Sequence, residues 1–338
     1  MGETKSPYMV DWAITESCNL KCRHCRGMLS GDLSHDRAMQ LVDEITVLKP
    51  AWVIIEGGEP LLRPDLFDLL GALRRKRLEV HLISNGLLLD SGIISRLRTL
   101  GVKAMISIDG ATAATYETIR TGSSFPKAVN AARRCAQAEV LGAINCTVLK
   151  VNFREIPGVF DLAASVGAPK INFIGLKPCH NYPAELLTAA ECGEAIKLAC
   201  NSGKRTGIEF FFDEPFFGAV AQEWGLPTPK PAGDAGIVAS GTNACIFGEY
   251  LFIEPSGDVR PCSFAPITVG NVKEKSLTAI WEEMLASPFF HRIKEPSWRS
   301  GHCRDCRYLT QCKGCRSRTR VITSDWFASD PVCPLAHN

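Results

Sequence analysis

The chain has 338 residues, of which 46% are apolar, so it can bury a large core as one large domain or two smaller ones. Its 38 Lys and Arg nearly balance 36 Asp and Glu, and no long basic run occurs, so a nucleic-acid partner is not expected. No apolar segment reaches the ~18 residues of a membrane span, and the N-terminus lacks the apolar core of a signal peptide, so no membrane association is expected.

The 15 cysteines permit two opposite interpretations. In a secreted protein they would form disulfides, whereas clustered cysteines in a reducing cytoplasm more often bind metal. Because no signal peptide is recognisable, we expect a cytoplasmic protein with metal sites.

Residues 8–176 repeat a short apolar run followed by a segment with helical periodicity. Strands are predicted over residues 10–15, 52–56, 80–84, 104–109, 143–149 and 170–174. Helices are predicted over residues 35–48, 64–77, 93–100, 124–138 and 156–166. Strands that alternate with helices of this length predict an α/β fold of parallel units, either an open (β/α)6 partial TIM barrel or a doubly wound sheet.

Three cysteines, Cys18, Cys22 and Cys25, follow the first predicted strand at CxxxCxxC spacing. Thiolates are the soft ligands that iron-sulfur clusters require, so these three can bind three irons of a [4Fe-4S] cluster and leave the fourth iron open. A structural zinc knuckle or three buried thiols would have the same spacing. The spacing alone therefore predicts a cluster and leaves zinc as an alternative.

Glycine-rich and polar segments follow the next three strands, and the carboxyl ends of parallel strands meet at one edge of a sheet. They are Gly57-Gly58-Glu59-Pro60, Ser84-Asn85-Gly86 and Ser107-Ile108-Asp109-Gly110. Glycine lets a backbone approach a ligand closely, although Asn-Gly and Asp-Gly are also ordinary turn sequences. These segments predict a ligand site at that edge.

A bridging region is expected over residues 177–244, where 208–213 predicts a further strand and 225–241 a long loop that covers the site. Residues 245–338 then hold a second dense group of cysteines. Its members are Cys245, Cys262, Cys303, Cys306, Cys312, Cys315 and Cys333. Paired CxxC units are typical of zinc sites, so zinc is again the alternative. A hairpin is predicted from segments 251–253 and 259–261.

The stretch from Ile14 and Thr15 through Cys18 to Cys25 resembles the opening signature of the radical S-adenosylmethionine (radical SAM) enzymes. The cysteine pattern of residues 245–338, with its hairpin, resembles the SPASM extension that follows some radical SAM cores. The resemblance implies the (β/α)6 partial barrel followed by a small cysteine-rich domain. It also implies S-adenosylmethionine (SAM), one SAM-binding [4Fe-4S] cluster and two auxiliary [4Fe-4S] clusters as cofactors.

The resemblance assigns roles to the residues at the strand ends. In the family, SAM chelates the open iron of the cluster that Cys18, Cys22 and Cys25 would bind. By resemblance, the SAM pocket consists of Gly57, Gly58, Glu59, Ser84, Asn85, Ser107, Asp109 and Arg120. Arg120 matches the family arginine that pairs with the SAM carboxylate, a contact suited to a guanidinium fork, although a solvated helix arginine is the alternative.

The resemblance also divides the C-terminal cysteines between two clusters. Cys303, Cys306, Cys312 and Cys333 would bind the distal auxiliary cluster, and Cys245, Cys262 and Cys315 the nearer one. The usual CxxxC is shortened here to Cys312-Lys313-Gly314-Cys315, which leaves the sharing of ligands open. Seven cysteines are one short of eight, so the nearer cluster has an open iron, a non-cysteine ligand or an extra thiol.

The resemblance implies that one electron splits SAM into methionine and a 5'-deoxyadenosyl radical, which takes a hydrogen atom from the substrate while the auxiliary clusters aid oxidation. Peptide or natural-product maturation is the first hypothesis. The alternatives are a dehydrogenase or epimerase on a sugar or aminocyclitol, or a porphyrin propionate decarboxylase of haem-type biosynthesis. The Trp12-x-x-Thr15-x-x-Cys18 opening and the Cys25-Arg26 step resemble the last class. An iron-sulfur electron carrier would not need Gly57-Gly58-Glu59-Pro60.

Three further expectations concern partners and Cys179. A flavodoxin- or ferredoxin-type protein would donate the electron. Because only seventeen residues precede Cys18, a separate leader-peptide-binding protein would serve a peptide substrate. Cys179 would return a hydrogen atom to the substrate radical in an epimerisation, although an inert buried thiol is the alternative.

Overall fold

The computed structural model describes residues 6–27, 31–177, 183–228 and 245–336. The strands are β1 Met9–Ala13, β2 Lys21–Cys22, β3 Trp52–Glu56, β4 Val80–Ser84, β5 Lys103–Ser107, β6 Arg120–Thr121, β7 Leu141–Val148, β8 Lys170–Gly175, β9 Glu209–Asp213, β10 Leu251–Ile253, β11 Asp258–Arg260 and β12 Gly270–Asn271. The helices are α1 His35–Leu48, α2 Leu66–Arg75, α3 Ser91–Leu100, α4 Ala113–Ile119, α5 Phe125–Gln137, α6 Ile156–Val166, α7 Ala189–Thr206, α8 Phe217–Glu223, α9 Leu277–Ala286, α10 Pro288–Lys294, α11 Leu309–Cys312 and α12 Arg316–Thr323.

Ten of these strands form one sheet in the order β12-β11-β10-β1-β3-β4-β5-β7-β8-β9. All neighbours from β10 to β9 are parallel, whereas β11 and β12 are antiparallel additions at one edge. The predicted mixed α/β fold with a large parallel sheet is confirmed. The strand expected at 208–213 is β9, which extends the parallel order, and the number of units in the barrel stays a prediction.

The two faces of the sheet differ in what covers them. Val10 and Trp12 of β1 join the main apolar core with residues of the surrounding helices. On the opposite face, alternate residues of β4, β5, β8 and β9 include half-exposed side chains, so this face is partly open to solvent. Its side chains include Ile83, Met105, Asn172, Ile174 and Phe211. Within the described residues, no helix is long and apolar enough to cross a membrane.

The predicted hairpin is present as β10 and β11, and it attaches the C-terminal region to the barrel. Gly257 turns the hairpin with a positive φ of 92°, a conformation that favours glycine. β10 then pairs in parallel with β1, where Val10 lies opposite Leu251. The first and the last parts of the chain therefore share one sheet.

Candidate active site and C-terminal cysteine region

Cys18, Cys22 and Cys25 lie on the segment that follows β1, at the carboxyl end of the parallel strands. Cys22 belongs to the short strand β2, which pairs with β6 so that Cys22 lies opposite Arg120. Cys18 and Cys25 are exposed, and Cys22 is half-buried. Every cysteine of the described ranges is a free thiol, so the expected ligands are available.

The glycine pair at the end of β3 packs against the segment that precedes Cys18. The backbone N–H of Gly58 donates to the carbonyl of Thr15 at 2.8 Å, and that of Glu59 donates to the carbonyl of Ser17 at 2.8 Å. A Cβ atom on Gly58 would lie 2.4 Å from the Ser17 carbonyl oxygen. Position 58 therefore needs glycine to pack against this segment, independently of any ligand that binds there.

Glu59 is fully buried and connects the ends of β3 and β4. Its carboxylate accepts hydrogen bonds from Ser84 Oγ at 2.9 Å and from the backbone N–H of Asn85 at 2.8 Å. Burial raises the pKa of Glu59, and the hydrogen bonds from Asn85 and Ser84 oppose that rise. Asn85 Nδ2 donates to Asn19 Oδ1 at 2.8 Å, which ties the cysteine segment to β4. Asn19 was not predicted as a site residue.

Asp109 is the anion of the site, with an exposed fraction of 0%. Its Oδ2 accepts from Arg120 Nε at 2.6 Å and lies 3.4 Å from His24 Nε2, while Oδ1 accepts from the backbone N–H of Thr147 at 2.7 Å. Burial raises the pKa of Asp109, but Arg120, His24 and the hydrogen bond from Thr147 together outweigh burial, so that pKa is lowered. Asp109 therefore fixes the Arg120 guanidinium, whose Nη1 lies 3.8 Å from Cys22 Sγ.

The remaining predicted positions have different outcomes. Ser107 is buried at the end of β5, two residues before Asp109. Cys179 and residues 229–241 of the expected covering loop lie outside the described residues. Gly175 ends β8, and a Cβ atom there would lie 1.8 Å from Glu214 Oε1. Glu214 itself pairs with Arg318 of α12 at 2.7 Å.

The C-terminal thiols influence one another electrostatically. The pKa of Cys312 is raised by burial first and also by the nearby thiols of Cys333 and Cys303. The pKa values of Cys262 and Cys315 are raised by burial and also by the thiol of Cys245. The ligand set of each auxiliary cluster stays a prediction.

The comparisons with known proteins agree with this arrangement. The model of the Radical SAM superfamily matches residues 12–163, and that of the SPASM iron-sulfur cluster-binding domain matches residues 245–316. An AdoMet-dependent heme synthase of Methanosarcina barkeri is 30% identical over 98% of this chain and 97% of its own length. The chain belongs to the radical SAM superfamily.

Proteins other than heme synthases are also similar to this radical SAM enzyme. Mycofactocin maturase MftC of Mycobacterium tuberculosis is 28% identical, over 98% of this chain and 84% of its own. Among solved structures, Streptococcus suis SuiB bound to its precursor peptide SuiA has a TM-score of 0.77 at 16% identity, covering 97% of this chain and 76% of SuiB. The structure of anSMEcpe with bound AdoMet has a TM-score of 0.73 at 19% identity, with coverages of 97% and 94%. Both structures share the fold.

Family membership makes SAM and [4Fe-4S] clusters the cofactors of this radical SAM enzyme, and the donor set suits them. Burial raises the pKa of Cys22 to about 11, so cluster binding must displace its proton. Within the described ranges, no three Cys, His, Asp or Glu side chains converge on a single-ion site. Cluster thiolates bind different irons and need not converge on one point.

Proposed function

We propose that this enzyme oxidatively decarboxylates propionate side chains of an iron porphyrin. The observation that carries the proposal is the end-to-end correspondence with the heme synthase of Methanosarcina barkeri, at 30% identity over 98% and 97% of the two chains. Two further heme synthases match 96% of this chain at 28–29% identity. The half-exposed strand face supports the proposal, because Ile83, Met105, Ile174 and Phe211 offer apolar contacts to a flat macrocycle.

The proposal assigns each cofactor to named residues. Cys18, Cys22 and Cys25 hold the SAM cluster. The SAM pocket is made by Gly57, Gly58, Glu59, Ser84, Asn85, Ser107, Asp109 and Arg120. The auxiliary clusters are held by Cys303, Cys306, Cys312 and Cys333 and by Cys245, Cys262 and Cys315. We divide the chain into a core over 8–176, a bridge over 177–244 and a cluster domain over 245–338.

The chain's own residues position the reactants. Asp109 orients Arg120, whose guanidinium is the cation for the SAM carboxylate. Glu59 fixes Ser84 and Asn85, so two strand ends keep one geometry around the pocket. Bound SAM and its cluster supply the 5'-deoxyadenosyl radical, and the auxiliary clusters supply an electron acceptor.

The overall change balances on the substrate. One propionate side chain, written R-CH2-CH2-COO−, loses one hydrogen atom from its CH2 next to the ring, then CO2 and one electron, and becomes a vinyl group. The hydrogen atom is taken up as 5'-deoxyadenosine. The electron requires a one-electron acceptor, for which the iron-sulfur centres of the C-terminal domain are the candidates.

Anaerobic incubation of the reconstituted enzyme with SAM, dithionite and iron coproporphyrin tests the substrate. Mass spectrometry should detect vinyl products together with 5'-deoxyadenosine. Formation of 5'-deoxyadenosine without any change in the porphyrin would contradict the proposed substrate while leaving the radical SAM assignment intact. Cys135→Ala is the matched control, because Cys135 is a buried core residue of α5 and should leave turnover unchanged.

Peptide maturation is the second candidate, favoured by the mycofactocin maturase relatives and by the likeness to SuiB bound to SuiA. It would require a precursor peptide and, in this proposal, a separate leader-peptide-binding protein. Both candidates use a flavodoxin- or ferredoxin-type electron donor in the cytoplasm. If the purified enzyme modifies a peptide whose gene lies beside its own, peptide maturation is favoured over porphyrin decarboxylation.

A further inference from the structure

A buried ion network joins the barrel to the C-terminal cysteines. Arg318 of α12 has an exposed fraction of 1% and lies between two buried carboxylates. Its Nη1 and Nη2 donate to the two oxygens of Glu214 at 2.9 and 2.7 Å. Its Nε and Nη2 donate to the two oxygens of Asp330 at 2.9 and 2.7 Å. One guanidinium thus bridges the end of β9 and the segment before Cys333.

Asp330 contacts the backbone of both cysteine segments. Its Oδ2 accepts from the backbone N–H of Cys315 at 2.8 Å, and its backbone carbonyl accepts from the N–H of Cys333 at 3.2 Å. By resemblance these two cysteines bind different auxiliary clusters. A single residue therefore sets where both segments lie relative to each other.

The other end of the network lies at the half-exposed strand face. Lys177, just after β8, lies 2.7 Å from Asp213 Oδ2 and 3.8 Å from Glu214 Oε1. Asp213 is the last residue of β9, and its side chain is 39% exposed. Fixed charges thus extend from the half-exposed strand face to the backbone of Cys315.

Charges in this position act strongly on a neighbouring cluster. Arg318, Glu214 and Asp330 are each at most 3% exposed, so water screens them little. The potential of an iron-sulfur cluster depends on nearby charge and on hydrogen bonds, and reduction adds negative charge. A cation beside the cluster favours reduction, and an anion opposes it.

We propose that Asp330 is a positioning residue for Cys315 and Cys333, and that Arg318 and Asp330 together set the reduction potential of the auxiliary cluster bound through Cys315. The inference rests on the proposed assignment of the C-terminal cysteines and is independent of the substrate. A purely structural ion network would hold the two chain segments together without giving Arg318 and Asp330 opposite effects on potential.

The test compares Arg318→Met, Asp330→Asn and Glu214→Gln in the reconstituted holoenzyme. Reduction potentials are measured by anaerobic titration with electron paramagnetic resonance, using the cluster signals that do not change when SAM is added. Arg318→Met should lower the auxiliary potential, because a cation is lost. Asp330→Asn should raise it, and Glu214→Gln should raise it less, because Asp330 accepts a hydrogen bond from Cys315 itself, whereas Glu214 is connected to Cys315 through Arg318.

Matched variants keep the test informative. Arg318→Lys and Asp330→Glu keep the charges and should restore most of the wild-type potential. Arg74→Met removes a partly buried arginine that binds the carbonyls of Leu78 and Leu100, and it should leave the potential unchanged. If Arg318→Met fails to retain iron, Glu214→Gln still tests the electrostatic part.

Two results would overturn the inference. In the first, each of the three variants that retains iron has the wild-type reduction potential. In the other, Arg318→Met and Asp330→Asn shift the potential in the same direction, as a common loosening of the site would. If the wild-type protein holds about four irons and not the number expected for three clusters, about twelve, the assignment of auxiliary clusters is wrong. About twelve irons without porphyrin turnover would remove only the proposed substrate.

Discussion

Gly175 and Glu214 fit together only because Gly175 has no side chain. A Cβ atom on Gly175 would lie 1.8 Å from Glu214 Oε1 and 2.7 Å from its carboxyl carbon. Glu214 cannot withdraw without leaving Arg318, because its two oxygens bind the guanidinium. The last residue of β8 thus determines whether the barrel can bind the C-terminal helix α12.

Gly175→Ala should therefore lower the free energy of unfolding by about 2–4 kcal/mol, since it overpacks a buried site and separates a buried ion pair. Anaerobic urea denaturation of the holoenzyme measures this. The matched control is Gly92→Ala, where the new methyl meets Asp90 Oδ1 at an ordinary 3.4 Å in the first turn of α3. The control should be neutral or stabilise by about 0.5–1 kcal/mol. Equal effects of the two variants would contradict the argument.

Replacing Cys18, Cys22 and Cys25 together by Ala should abolish SAM cleavage and leave the auxiliary iron in place. The reason is that the proposed assignment gives the two cysteine regions separate ligands and gives the SAM cluster no thiolates besides these three. Iron analysis should find a loss of about four irons, and 5'-deoxyadenosine should not form. Cleavage of SAM at the native rate in this triple variant would show that the central assignment is wrong.

Asp109→Asn should destabilise the protein by about 3 kcal/mol, because it leaves Arg120 buried without its anion. It should also slow SAM cleavage, since Arg120 loses its orientation. Asp161→Asn is the matched control, because Asp161 and Arg205 form an ion pair at 2.8 Å in which both side chains are more than half exposed. The loss in the control should stay below about 1 kcal/mol. A control loss as large as that of Asp109→Asn would refute the role of burial.

The buried thiol of Cys200 predicts a loss of stability in alkali. Burial raises its pKa to about 12. An unfolded thiol loses its proton above about pH 8.5, so rising pH stabilises the unfolded state relative to the folded state. The free energy of unfolding is therefore lower by about 1–2 kcal/mol at pH 10. Cys200→Ala removes this effect.

Cys200→Ala should therefore lower the free energy of unfolding by about 1–2 kcal/mol at pH 7 and leave it unchanged near pH 10. Urea denaturation at both pH values measures the change. Ile196 lies in the same helix and has no ionisable group. Ile196→Val should therefore lower the free energy of unfolding by about 1 kcal/mol at both pH values. A pH-independent cost for Cys200→Ala would exclude the proposed deprotonation.

The sequence predicted the local elements well where the chain has clear signals. Helix α1 occupies the predicted residues 35–48, because Ser34 accepts a hydrogen bond from the backbone of Arg37 at its start and Lys49 turns left-handed at its end. The predicted strands at 52–56 and 80–84 are β3 and β4. Glu59, Ser84 and Asn85 were expected to share a site, and they do contact one another.

Contacts between distant positions could not be predicted in this way. Neither the anchoring of Arg120 by Asp109 nor the bridge from Glu214 through Arg318 to Asp330 leaves a periodic pattern in the sequence. The neighbour of Gly175 could not be predicted either, because a glycine shows only that something approaches closely, not what approaches. In this structure the neighbour is the side chain of Glu214.

The parallel pairing of β1 with β10 has a consequence for synthesis of the protein. When β1 leaves the ribosome, its partner β10 has not yet been made, so the hydrogen-bonding groups on that edge remain unpaired until nearly three-quarters of the chain is complete. Exposed strand edges promote association with other chains, and pairings between distant segments form slowly. The nascent chain is therefore most vulnerable to aggregation just before its C-terminal hairpin emerges, and slower translation before that point would prolong the risk.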